Sequence, residues 1–357
     1  MEKNDKIFLF NLLNAASPSG YESEATKEFA MFCNELEPNG VKYEFADSIG
    51  NMAYSIGGGK IPFMVSGHID EIALQVQYID DKGFIHFIKD GGVDPKVLPG
   101  SSVKILTKNG HVVYGVIGKT PIHIEFHGEG KDKVTKIKDL KIDIGASNKE
   151  ETEKAVNVGD PIVFVHPAYN LLGGHRIACG GIDDKVGVYV TGVVLKELSR
   201  LPMLRNLKVY GVACTQEEVG GHGASLAAKR INPKYSIDYD VTFATDDDCV
   251  SKNEWGDIKL GGGGCIAYGP DKNKDMCDMM KNICEKNDIN HQVFSVGAGM
   301  TNTLKIKLGA DDCKTLLLSV PERNMHTPVE VISLSDLDSL VNMTVKYIVE
   351  LDKNLES

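Results

Sequence analysis

The sequence predicts an α/β domain interrupted by a smaller, all-β domain, and three observations predict it. Helical and extended patterns alternate up to about residue 71, and alternate again from about 165. Between them, from 72 to 164, short β-rich pieces are separated by Gly, Asp, Lys and Asn, and no long amphipathic helix occurs. The chain of 357 residues is also long enough for two domains, or for one large domain carrying an insertion. The expected division is 1–71 and 165–357 for the α/β part, with 72–164 inserted.

Each element follows from its own stretch. Ile7, Phe8, Leu12 and Leu13 recur at helical spacing, and "SPSGYES" breaks that pattern before a second helix from Glu22 to about Leu36. "VKYEFAD" and "NMAYSIGGG" read as a hairpin, and "IPFMVSGH" as an apolar strand. In the insertion, "IALQVQYI", "GFIHFI", "SSVKILT", "HVVYGVIG" and "PIVFVH" read as strands of a small barrel or sandwich. Past residue 170, the helix "KVGVYVTGVVLKEL" precedes the strand "NLKVYGVACT" and a further helix. "VTFAT", the helix "DMCDMMKNICEKN", the strand "TLLLSV" and a last helix near 336–350 complete the chain.

Composition narrows the function. A net charge of −11 argues against a nucleic-acid partner, which needs clustered Lys and Arg. No run approaches the roughly 18 apolar residues of a membrane span, and the start "MEKNDKIFLFNLLNAASPSG" lacks the form of a signal peptide. The eight cysteines contain no Cys-x-x-Cys pair and several sit in apolar runs. They read as buried thiols in a reducing compartment, so a cytoplasmic protein is expected.

In an open α/β sheet, ligands gather outside the carboxyl ends of the strands. Here His68, Asp70 and Glu71 follow "IPFMVSG", Glu217 and Glu218 follow "LKVYGVACTQ", and His326 follows "TLLLSVPERNM". Asp240 and Asp246 to Asp248 surround "VTFAT", and Asp183-Asp184 opens a helix. Taken singly, each has an ordinary reading: a core histidine, a helix cap, a solvated strand end. Taken together, two histidines and several carboxylates without thiolate suit Zn²⁺, Co²⁺ or Mn²⁺. The number of carboxylates suggests two ions about 3.5–4 Å apart sharing one of them. A glycosidase would also use two carboxylates, but it leaves His68 and His326 unexplained. An inactive metal-binding assembly protein is the other alternative.

Five blocks, "SGHIDEIAL", "GGIDDKVG", "TQEEVGGHGA", "DVTFATD" and "PERNMHTPVEVI", resemble in order the signatures of a known family. This is the glutamyl aminopeptidase and tetrahedral (TET) aminopeptidase family of dinuclear metallopeptidases. "GVIGKTPIH", "DLKIDIGASNKEE" and "VGDPIVF" are similar to its inserted domain. The resemblance implies a mixed-sheet α/β/α catalytic domain with a small β-barrel-like insertion. It implies two divalent ions per subunit, foremost Zn²⁺ or Co²⁺, with Mn²⁺ also suited. His68 and Asp240 are then terminal ligands of one ion, and Glu218 and His326 of the other. Asp183 bridges them and is joined to Asp184 by a cis peptide. Glu217 is the general base, and Asp70 orients the His68 imidazole. Substrates are short peptides with a free N-terminus. The inserted domain pairs subunits, and a twelve-subunit shell is expected. Two departures stand out: Lys185 where the family usually has Arg, and Asn302, within "GAGMTNT", where an acid is frequent.

Overall fold

A computed structural model describes residues 1–125, 135–299 and 301–355; Met300, inside "GAGMTNT", lies outside them. The chain opens with α1 (Lys3–Asn14), α2 (Ser23–Asn34), β1 (Lys42–Ala46), β2 (Met52–Ile56) and β3 (Ile61–His68). Next come β4 (Ala73–Ile79), β5 (Ile85–Asp90), β6 (Ser102–Leu106) and β7 (Val112–Ile117), then α3 (Ile122–Glu125). β8 (Ile142–Asp143), α4 (Lys149–Ala155) and β9 (Pro161–Phe164) follow. The return begins with β10 (Tyr169–Asn170), β11 (Arg176–Cys179), α5 (Ile182–Ser199), β12 (Leu207–Cys214) and α6 (His222–Ile231). β13 (Tyr235–Phe243), α7 (Lys252–Trp255), β14 (Gly264–Tyr268), α8 (Lys274–Lys286) and β15 (His291–Ser295) extend it. α9 (Asn302–Gly309), β16 (Lys314–Glu322), β17 (Glu330–Ser333) and α10 (Leu334–Asn354) finish it.

Eight strands form one mixed sheet in the order β1-β2-β12-β3-β13-β16-β14-β15. β12, β3, β13 and β16 are mutually parallel at its centre, while β2 and β14 join antiparallel on either side. Successive side chains of a strand face opposite ways, and β3 uses both faces. Phe63 and Val65 enter the core shared with Val186, Val190 and Leu340, while Met64 packs with Ala224, Ala227 and Ile306. Helices therefore cover both faces, with α1, α2, α5, α8 and α10 on one and α6 and α9 on the other. α5 is apolar nearly all round and is the buried central helix. It approaches β3 so closely that a Cβ on Gly67 would stand 2.5 Å from the Gly187 carbonyl carbon. Only glycine fits there.

Six strands, β4-β5-β8-β7-β6-β9, close a barrel around Leu74, Val76, Phe87, Val103, Ile105 and Ile162. Closure leaves it no unpaired edge. The two-residue β8 completes the ring and is too short to carry any periodic signal. The sequence reading does not include β14 and β15 either: each has only five residues, and glycines flank β14 while β15 opens with His291-Gln292. No described helix is long and apolar enough to cross a membrane.

Candidate metal centre

Parallel strands deliver their carboxyl ends to one edge of the sheet. His68 ends β3 and is paired in register with Cys214, three residues before Glu217. Asp240 lies on β13 opposite Ser319 of β16, and β16 leads into His326. Asp183 arrives from the opposite direction, at the start of α5, across a cis peptide to Asp184.

Two groups of ligand-type side chains result. Ligand atoms of His68, Asp183 and Asp240 lie within 4.8 Å of one another, as do those of Asp183, Glu218 and His326. Asp183 belongs to both. Its Oδ1 lies 3.0 Å from His68 Nε2, and its Oδ2 lies 3.1 Å from His326 Nε2. The other ring nitrogen of each histidine faces a backbone carbonyl: His68 Nδ1 is 3.0 Å from Asp70 O, and His326 Nδ1 is 3.2 Å from Gly92 O. A proton on Nδ1 donated to those carbonyls leaves both Nε2 lone pairs directed at the centre.

The supporting shell is built from backbone donors. Asp70 is fully buried and accepts the Glu217 N–H at 2.9 Å, the Glu218 N–H at 3.1 Å and the Ser19 hydroxyl at 2.6 Å. Its Oδ1 is 3.5 Å from His68 Nδ1, so its carboxylate holds the Glu217 turn more closely than the imidazole. Glu330, 1% exposed, accepts N–H groups from Ile182 at 2.7 Å, Asp183 at 3.3 Å and His326 at 3.0 Å. It thus clamps the segments that carry two ligand-type residues. Gln216 and His326 are held at φ of 57° and 59°, a region non-glycine residues seldom occupy. Asp184 turns away from the cleft, accepting the His68 and Gly187 N–H groups at 3.2 and 3.0 Å. Lys185 is buried against Glu71 at 3.0 Å and the Ala15 carbonyl at 2.8 Å, so both leave the cleft to others. Asn302 is also buried; its neighbour Thr301 lines the cleft instead.

Electrostatics show what the cleft wants. Hydrogen bonding to Asp183 and Glu218 pushes the His326 pKa up to about 11. Burial opposes a charge on His68, yet the carboxylates of Asp183 and Asp70 lift its pKa well above the ordinary value. Burial raises Glu217 to about 7, against the pull of His68 and with repulsion from Glu218 and Asp183 adding to it. Burial, with repulsion from Asp183, likewise raises Asp240. Among the described residues, no Lys or Arg lines the cleft. So many carboxylates in one buried place call for positive charge, which protons on the two imidazoles supply only in part. Oxygen and imidazole donors of this kind fit divalent ions of the Zn²⁺, Co²⁺ or Mn²⁺ type.

The seven residues to which the resemblance gives site roles, His68, Asp70, Asp183, Glu217, Glu218, Asp240 and His326, thus come together here, whereas Glu71, Asp184 and Asp246 to Asp248 do not line the cleft. Sequence reasoning missed Glu330, Gly92 and an apolar wall that includes Phe243, Trp255 and Phe294. Glu330 left a faint trace, an acid inside the apolar run "PVEVI".

Comparison with known proteins identifies the family. The family model described as M42 glutamyl aminopeptidase matches residues 50–343. A lysyl aminopeptidase of Pyrococcus furiosus is 30% identical, covering 95% of each chain. The structure of a TET aminopeptidase from a marine sediment archaeon of the Thaumarchaeota is similar at a TM-score of 0.88, with 27% identity and 98% of each chain covered. The TET1 peptidase of Pyrococcus horikoshii, described as able to assemble into a tetrahedron or a large octahedral shell, is similar at 0.84, with 32% identity over 96% of this chain and 98% of its own. By that match over most of its length and that identity, the chain belongs to the M42 glutamyl aminopeptidase family of peptide-bond hydrolases.

Proposed function

We propose that this chain is a two-metal aminopeptidase that removes the N-terminal residue from short peptides. One observation carries the reading: a single carboxylate, Asp183, reaches two imidazoles with its two oxygens, at 3.0 and 3.1 Å. On this reading His68 and Asp240 would hold one ion, Glu218 and His326 the other, and Asp183 would serve both. Two divalent ions held there would supply a water molecule of lowered pKa and polarise the scissile carbonyl.

The remaining work belongs to the chain's own groups. Glu217 takes the proton of the attacking water and passes it to the leaving amine. Neighbouring Glu218 has a different task. Asp70 separates the two by holding both of their N–H groups, which fixes the turn from which they project. Carboxylates of the cleft recognise the substrate's free α-amino group, so an N-acetylated peptide is not a substrate.

The barrel pairs subunits in this reading, and a twelve-subunit shell is the assembly proposed. Val112, Tyr114 and Val116 support this: they alternate along β7 and are exposed on one face, Tyr114 by 66%. All eight cysteines are free and only Cys249 is exposed, which supports a reducing, cytoplasmic setting.

The test compares a short peptide with its N-acetylated form, in protein stripped by chelation and reloaded with Zn²⁺, Co²⁺ or Mn²⁺. Two ions bound per chain, activity that follows the metal, and cleavage of the free peptide alone are expected. Full turnover without a transition metal, or equal cleavage of the acetylated peptide, would sink the proposal.

A further inference from the structure

Beside its carboxylates and imidazoles the cleft is lined by Phe243, Trp255, Phe294, Val296, Leu317 and Met325, with the hydroxyl residues Thr242, Thr301 and Ser319 among them. Phe243 and Trp255 meet edge to face, with centroids 4.5 Å apart at 74°. Leu317 forms part of the floor and is 1% exposed. Two cations near this wall in the chain, Lys272 and Arg323, are engaged elsewhere. Lys272 is paired with Asp271 at 2.6 Å beneath the Gly297 carbonyl, and Arg323 with Asp246 at 2.8 Å.

Resting on the reading of this cleft as an aminopeptidase site, we infer that the apolar wall receives the side chain of the residue being removed, and that leucine, methionine and phenylalanine are preferred over glutamate and lysine. A glutamate side chain placed there finds no counter-charge among the described lining residues. A lysine side chain loses its hydration against aromatic and aliphatic carbon. Both desolvation costs are large beside the gain from apolar contact. Filling such a pocket with an apolar side chain is worth roughly 10- to 100-fold in kcat/KM. The cleft, about 320 Å³ in all, accommodates a side chain of leucine or phenylalanine size alongside the reacting groups.

Two readouts test this on the metal-loaded protein. The first is kcat/KM for aminoacyl-p-nitroanilides of Leu, Met, Phe, Glu and Lys. The apolar three should exceed both charged ones by about 100-fold. The variant Val296→Arg, which adds a cation to the wall, should raise the Glu-to-Leu ratio at least about 10-fold. That ratio is internal to each protein, so a loss of folded fraction does not affect it. The second readout uses Trp255, the chain's single tryptophan, as a reporter inside the wall. Titration with free L-leucine or L-methionine should change its emission at concentrations where L-glutamate and L-lysine do not. Turnover of Glu or Lys substrates equal to or above Leu, or an equal emission response to all four amino acids, overturns the inference. A protein that cleaves none of the substrates yet shows Leu-selective emission would refute the peptidase reading and leave the wall's selectivity standing.

Discussion

Two adjacent glutamates, Glu217 and Glu218, are proposed to carry different tasks from one turn. Glu217→Gln should lower kcat by about 10²- to 10⁴-fold while the protein keeps its metal. Glu218→Gln should instead reduce bound metal, and elemental analysis beside steady-state kinetics separates the two. Near-normal turnover of Glu217→Gln would remove Glu217 from the mechanism. Proton linkage gives a second residue-level outcome. In metal-free protein the His326 pKa is raised from 6.5 to about 11 by Asp183 and Glu218. The stability this contributes is fully present below pH 6.5 and lost as pH rises towards 11. Bound metal displaces that proton and keeps the attraction, so melting temperature should fall with alkaline pH more steeply without metal than with it. Parallel profiles for both forms would contradict the linkage. These proposed ligand residues were legible because each lies in or shortly after an apolar strand, or opens a core helix, where a charge needs a reason. Glu330 was not, since its three backbone donors come from Ile182, Asp183 and His326, and only folding brings the first two near it.

Elements set how firmly those residues are held. β3, β12, β13 and β16 were readable from their apolar runs, and α5, α8 and α10 from helical spacing. The wall of the cleft was not readable. Phe243 closes β13, Trp255 ends the one-turn α7, and Phe294 and Leu317 sit on two strands separated by α9. No local pattern joins residues so far apart in sequence. The turn after β5 was equally silent. It brings Gly92 against His326, where an added Cβ would lie 2.4 Å from Nδ1. Contacts behind a ligand histidine are typically worth about 10- to 100-fold in metal affinity or activity. Gly92→Ala should therefore weaken metal binding to that extent while circular dichroism and barrel folding stay normal. Unchanged metal affinity in that variant would show that the turn yields without consequence.

For the whole molecule, the sheet and the barrel are separate cores, one around α5 and the other inside β4 to β9. Light scattering should report an oligomer, and Tyr114→Lys, which places charge on the exposed β7 stripe, should lower its mass. A monomer with full peptidase activity would refute the assembly role. Chelation should loosen the assembly as well, because Glu218 and His326 touch the Gly91-Gly92 turn of the barrel. An unchanged mass in metal-free protein would separate the two events. That same turn has a consequence for heredity and engineering. A segment that looks like a detachable cassette backs the His326 imidazole through Gly92, so the catalytic unit cannot be trimmed to its own strands and still hold that imidazole in place. A barrel grafted from another protein would need to bring a matching glycine hairpin with it. The two halves of this molecule must be inherited, exchanged and redesigned as one.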